Sequence, residues 1–210
     1  MKTPEHPIFL ESIAYIRSQL GKTGLDSVQQ SILERIIHSS GDLSLQSCIR
    51  FSPRACENAI EALQNHAMIV TDTYMAKTAI SPMAERTIKT EIHCILAMNS
   101  TSLDTTKITR SAIGMRKFWL DFVDKENSTH SPIVTIGSSP TALISLLDLV
   151  ESGYSKPSLI IGMPVGFIGV SESKNRLLNS DCPYIVLEGS RGGASVASAA
   201  TNALLRAAET

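Results

Sequence analysis

Residues 131–153, SPIVTIGSSPTALISLLDLVESG, and residues 156–174, KPSLIIGMPVGFIGVSESK, decide the fold. Each begins with a short apolar, β-branched run, at 133–136 in the first and 159–161 in the second. Each run stops at a glycine, Gly137 or Gly162, and helical periodicity follows. Runs of this kind, bounded by Gly and Pro, are the strands of a parallel sheet buried on both faces. Ligands of such sheets sit beyond the carboxyl ends of the strands, where these glycine loops lie.

The rest of the chain extends the pattern in both directions. On the N-terminal side, a helix over about 9–20 puts Ile13, Ile16 and Leu20 on one face, with Ser12 beside them. Asp26 or Ser27 caps a second helix that runs through Ile37 and stops at Gly41. In its last turn Arg35 and His38, three apart, share a face. After a possible strand at 49–51, Ser52 caps a third helix, with Pro53 at its first position. A strand at 68–70 ends in Thr71-Asp72, a short helix follows at 74–79, and 93–96 reads as a further strand. A helix from about Thr105 to Val123 has the polar start Thr109-Arg110-Ser111, with Lys117 two turns on. Beyond the two central units come a strand at 183–187, the loop GSRGG and a small-residue helix at 194–208. This alternation implies an α/β doubly wound, mostly parallel sheet of about five strands. Helices cover both faces, extra helices stand at the N-terminus, and residues 1–210 form one domain.

Composition narrows the function. With 43% hydrophobic and 19% charged residues and a formal net charge of −1, the chain is ordinary for a globular protein. Neutrality argues against nucleic acid, which demands a basic face. It leaves room for an anionic small molecule, held by a few cations and by helix N-termini. The longest apolar run, 159–170, is too short and too rich in Gly and Pro to span a bilayer. The N-terminal stretch shows no secretory pattern, so a cytoplasmic setting is expected. Cys48, Cys56, Cys94 and Cys182 contain no CxxC pair and read as reduced thiols rather than disulfides or metal ligands.

The familiar chemical motifs are missing: GxGxxG, GxxxxGK[ST], GxSxG and HExxH all fail to occur. What remains are loops at strand ends, rich in Gly, Ser and Thr, whose backbone N–H groups suit carboxylates or phosphates. Arg35, Arg110, Lys117, Lys174 and Arg191 supply charge nearby. By spacing alone His38 is the best chemical candidate, although a single His ending an apolar helix also reads as a C-cap or core histidine. His66 and His93 read as structural, His6 and His130 as loop residues.

Several stretches together carry a family resemblance: HPIFLESIAYIR, RIIHSSGD, FSP, VTDTYMAKTAI, TRSA, IGSSPTAL, IGMPVGFIGVSESK and GSRGG. The chain resembles the precorrin-8X (cobalt-precorrin-8) methylmutases of corrin-ring biosynthesis, in the same motif order from about residue 6 to residue 205. GMPVGF followed by ESK, downstream of PTALxxLL, is the specific signature. The resemblance implies an isomerase that moves a methyl group from C-11 to C-12 of the macrocycle by a 1,5-sigmatropic shift. Such an enzyme needs neither cofactor nor metal ligand, and yields hydrogenobyrinate or cobyrinate within cobalamin biosynthesis. It implies a homodimer whose partner is a polycarboxylated corrinoid, with no nucleic acid and no membrane.

On that resemblance His38 matches the catalytic histidine, the proton donor and acceptor. Arg35, Thr109, Arg110, Ser111 and Lys117 become candidates for the carboxylate arms, Arg110 with its flanking hydroxyls as an anion cradle. Ser12, Asp72 and Met75 match positions lining the pocket, the Met packing on the macrocycle. Thr141 reads as the cap of the helix after Gly137. Gly162, Pro164 and Val165, in GMPV, are expected to bring backbone near the ligand, and Ser173 and Lys174 to reach a carboxylate arm. Two places depart from the family: Ser138-Ser139 stands where Asn and Ala are usual, and the arginine and serine of the 189–195 loop are each shifted by one. A corrin carrier without turnover and a generic phosphate-binding α/β enzyme are the alternative classes, the latter disfavoured by the missing motifs.

Overall fold

The computed structural model describes residues 6–98, 108–123 and 131–209. It contains helices α1 (Pro7–Leu20), α2 (Ser27–Ser40), α3 (Ala55–Gln64), α4 (Tyr74–Arg86), α5 (Arg110–Val123), α6 (Pro140–Glu151), α7 (Val170–Leu178) and α8 (Ala194–Ala208). Its strands are β1 (Ile49–Phe51), β2 (Ile69–Thr71), β3 (Ile92–Cys94), β4 (Ile133–Ile136), β5 (Leu159–Gly162) and β6 (Tyr184–Leu187). They form one six-stranded sheet in the order β1-β6-β5-β4-β2-β3, rather than about five strands. All pairings are parallel except β1 with β6.

The sheet is apolar on both faces because the strands alternate between two cores. Ile133, Leu159, Ile161, Ile185 and Leu187 pack under α1, α2, α3, α4 and α8. Val134, Ile136, Ile160 and Val186 point the other way, under α5, α6 and α7. Winding runs outward from β2 in both directions, to β3 on one side and to β4, β5 and β6 on the other. The reversal between β2 and β4 makes the carboxyl ends of these two strands the switch point of the sheet.

Local rules account for most element ends. Asp26 Oδ1 accepts from the amides of Val28 and Gln29, and the Gln29 side chain accepts from the Asp26 amide, closing a capping box on α2. Gly41, in the left-handed region at φ 68°, ends α2 as expected. The α6 cap is Ser139, whose hydroxyl accepts from the Ala142 amide; Thr141 lies two residues inside the helix. Pro140 at the first helical position explains the choice.

Three boundaries differ from expectation. His6 is the cap of α1 rather than a loop residue, its Nδ1 accepting from the Ile8 amide. Ser52 does not cap α3, because its hydroxyl accepts from the Tyr184 amide of β6 at 2.9 Å; the helix starts later, after Arg54 at φ 57°. α4 continues past residue 79 through Pro82 to Arg86, with exposed Thr78 carrying the carbonyl that proline leaves unpaired. α5 begins at Arg110, and the expected start at 105–107 lies outside the described residues, as does His130. Cys56, Cys94 and Cys182 are buried free thiols, while Cys48 is half-buried. Among the described residues, no helix is long and apolar enough to cross a membrane.

Candidate functional site

The loops that leave the carboxyl ends of the five parallel strands, β2 to β6, lie at one end of the sheet, and several of them are held by buried groups. At the switch point Asp72 follows β2 and is fully buried. Its Oδ2 accepts from the amides of Gly137, Ser138 and Ser139 at 3.2, 2.6 and 2.8 Å. Its Oδ1 has no hydrogen-bond partner among the described residues. Burial pushes the Asp72 carboxyl above the usual carboxylate range, against the downward pull of the three amides. The N–H groups that a phosphate or a substrate carboxylate would use at this spot are thus occupied by the protein's own carboxylate. Asp72 holds the loop rather than lining a pocket.

The loop after β6 is held by an opposite charge. Lys174, on α7, is fully buried, and its Nζ donates to the carbonyls of Gly189 and Arg191 at 2.8 and 2.6 Å. Burial lowers its pKa from the ordinary 10.5 to about 8. Ser173 beside it is also fully buried and donates to the carbonyl of Val170. Neither side chain reaches solvent, so the expected contact with a carboxylate arm gives way to loop holding.

The glycines serve close packing as well. A Cβ on Gly137 would lie 2.5 Å from Ala194 Cα, and one on Gly192 would strike the Met163 carbonyl. Gly162 is pressed against Leu177 of α7, and Met163 and Pro164 are buried. Of the GMPV segment only Val165, 48% exposed, faces outward, so Gly162 and Pro164 serve packing rather than ligand approach.

Next to this framework lies a polar group that runs from exposed Thr109 to buried Ser139. Thr109, Ser111, Ser139 and Thr141 form a chain of hydroxyls: Thr109–Thr141 at 2.6 Å, Ser111–Ser139 at 2.6 Å and Ser139–Thr141 at 3.1 Å. Thr109 also caps α5 by accepting from the Ala112 amide. Arg110 and Lys117 are exposed on α5, seven residues and two turns apart. Met75, at the start of α4, is 70% exposed. The hydroxyls that flank Arg110 in the sequence are thus brought together with Thr141 and with Ser139, a member the sequence reading did not include.

His38 occupies a second part of the same end. It is exposed in the last turn of α2 and borders an open hollow of about 600 Å³. The hollow is walled by Ile8, Glu11, Ser12, Tyr15 and Ile16 of α1 and by Ile37, Gly41 and Leu43. Ser12 borders the same hollow as His38, together with Glu11 and Tyr15, which the sequence reading did not name although they lie on the same helical face. Arg35 borders a separate, smaller hollow of about 180 Å³ on the other flank of α1. The two parts are joined by Arg191, whose Nη1 donates to Asp42 Oδ2 at 2.8 Å and to Ser44 Oγ. Hydrogen bonding from Ser44, with Arg191 adding to it, holds the Asp42 carboxyl below its usual range. Arg191 is thereby committed to the wall beside Gly41 and Leu43.

Two outcomes follow for the framework. Asp72→Ala leaves three inward-facing amides without an acceptor and is expected to cost about 3 kcal/mol, read by urea unfolding. For Lys174, the folded protein gives up its proton between pH 8 and 10.5 while the unfolded chain keeps it. Stability of the wild type therefore rises with pH across that window relative to Lys174→Met, and the difference is flat below it. Chemical denaturation at half-unit pH steps reads the slope.

The comparisons with known proteins agree with this architecture. The family model described as precorrin-8X methylmutase matches residues 7–207. A cobalt-precorrin-8 methylmutase of Synechocystis is 37% identical, the match covering 96% of this chain and 95% of that protein. A precorrin-8X methylmutase of Pseudomonas aeruginosa is 34% identical, with coverage of 94% and 93%. The crystal structure of the precorrin-8X methylmutase from Thermus thermophilus superposes with a TM-score of 0.82 at 29% identity, covering 97% of this chain and 98% of that one. In sequence over nearly its whole length and in three-dimensional fold, the chain belongs to the precorrin-8X methylmutase family, isomerases of cobalamin biosynthesis.

Proposed function

We propose that the protein, as a single domain, moves a methyl group from C-11 to C-12 of precorrin-8X, metal-free or cobalt-bearing, with His38 as the proton donor and acceptor. One carbon–carbon bond breaks at C-11 and one forms at C-12, the ring double bonds shift, and nothing is oxidised or reduced. No external methyl donor enters. The protein's part is to hold one conformer of the ring and to place a proton on it, so that the receiving carbon becomes electrophilic. The observation that carries this reading is an exposed imidazole on the wall of an open hollow of about 600 Å³. Among the residues bordering that hollow, Ser12 and the hydroxyl of Tyr15 offer polar contacts and Ile8, Ile16, Ile37 and Leu43 offer apolar ones. The ring's carboxylate arms extend toward Arg35 on one flank and toward Arg110, Lys117 and the Thr109–Ser111–Ser139–Thr141 hydroxyls on the other. Met75 and Val165, both solvent-facing, supply apolar contact at the strand ends.

The test is His38→Ala, assayed for turnover of precorrin-8X and titrated with hydrogenobyrinate by visible absorbance. Turnover is expected to fall at least about a hundredfold, the lower range for general acid–base catalysis, while the product still binds. Retained turnover refutes the role of His38, and a wild type that binds product without turning substrate over is a carrier.

We further propose that the protein acts as a homodimer in the cytoplasm. Phe167 and Ile168, each 90% exposed in the loop after β5, offer apolar surface for such an association. Sedimentation velocity is expected to show a species of twice the 22.7 kDa chain mass, and a monomer at micromolar concentration overturns the assignment.

A further inference from the structure

Helix α1 is fastened to α2 at two points. One is the pair Arg17–Glu34, with Nε–Oε1 at 2.6 Å and Nη2–Oε2 at 2.9 Å; Glu34 is 2% exposed and also accepts from Gln30. The other is Phe9. Its ring centroid lies 4.9 Å from that of the His38 imidazole, with the two planes at 79°. The guanidinium carbon of Arg35 stands 4.8 Å from the same ring centroid. One aromatic ring therefore touches both the imidazole of the large hollow and the cation of the small one. Phe9 borders the small hollow beside Arg35, while the imidazole that its ring meets borders the large one.

An exposed histidine in the last turn of a helix has several side-chain rotamers open to it. An edge-to-face contact with a fixed ring selects among them, and the face of such a ring also attracts a guanidinium. Phe9 is itself held, because its side chain packs, partly buried, against the core and α1 is capped by His6 and clamped by Arg17–Glu34 a little over two turns further along. We propose that Phe9 is a positioning residue for the methyl shift: its ring holds the His38 imidazole in the orientation that protonates the macrocycle and keeps Arg35 in the adjoining hollow. The substrate then meets the proton donor and the cation on the two flanks of α1, both in contact with one aromatic ring. This inference rests on the reading of His38 given above.

The test compares Phe9→Leu, Phe9→Tyr and His38→Ala in steady-state turnover of precorrin-8X. Phe9→Leu keeps an apolar side chain but no ring; kcat is expected to fall about tenfold, the upper range for an aromatic contact, with KM within about threefold. Phe9→Tyr keeps the ring and is expected to stay within about threefold of wild type in kcat. In NMR spectra of the five histidines, the His38 imidazole protons are expected to carry a ring-current shift that Phe9→Leu abolishes and Phe9→Tyr retains. Wild-type kcat in Phe9→Leu with an inactive His38→Ala overturns the proposal for Phe9 alone. An active His38→Ala overturns the reading of His38 and this inference with it. A loss confined to KM, or one that Phe9→Tyr shares, also overturns the positioning role.

Discussion

The amides of Gly137, Ser138 and Ser139 all point at one oxygen, Oδ2 of Asp72, and most of the strand-end architecture depends on that convergence. Asp72 leaves β2 and the three amides leave β4, so the carboxylate closes the sheet at its switch point. Once the loop is fixed, Ser139 stands in place to cap α6 and to meet Ser111, which links α6 to α5. Gly137 can then press against the first turn of α8, where any Cβ would collide with backbone. Taking a carboxylate out of water is costly, and three amide donors offset much of that cost. Burial still outweighs them, since the carboxyl is pushed above its usual range and Oδ1 has no partner among the described residues.

Lys174 is the counterpart on the β6 side, a buried cation that gathers carbonyls where Asp72 gathers amides. The surface pair Arg191–Asp42 completes the connection from the β6 loop to the end of α2. Exposed ion pairs of this kind contribute up to about 1 kcal/mol, so the buried pair of loop holders sets the geometry and the surface bridge trims it. With the inner charges committed to the loops, the chemistry is left to groups at the rim. His38 sits on a helix end outside the sheet, facing α1. The hydroxyls of Thr109, Ser111, Ser139 and Thr141 lie over the switch point. The large, polycarboxylated ring proposed as substrate suits such an arrangement, which is a broad rim rather than a narrow crevice.

The sequence reading went astray wherever a side chain had two uses. Ser52 satisfies the rules for a helix cap, yet its hydroxyl is taken by the Tyr184 amide, 132 residues away. Asp72 was expected at the pocket from its match to the family, and Ser173 and Lys174 at a carboxylate arm; here the three side chains bond to backbone within the fold. Thr141 lost the cap to Ser139, which Pro140 alone was enough to indicate. The helix expected at 74–79 continues as α4 to Arg86, because a proline on an exposed turn removes one hydrogen bond without stopping a helix packed on α8. For His38, Ser12, Arg110 and the flanking hydroxyls, helical spacing and the family motifs pointed to the same side chains, and of these His38, Thr109 and Arg110 are exposed.

By itself the sequence determined the alternation of strand and helix, the two-faced burial of the central strands and most helix ends. These follow from apolar periodicity and turn chemistry, which act over a few residues and are written in adjacent positions. Only the tertiary structure decided which polar groups are spent inside and which remain open. Asp72 finds its amides 65 to 67 residues away, and Lys174 its carbonyls 15 and 17 residues on. Such pairings depend on which strand lies beside which. A buried charge takes whatever donors or acceptors the sheet order brings within about 3 Å, and that order is a property of the folded chain.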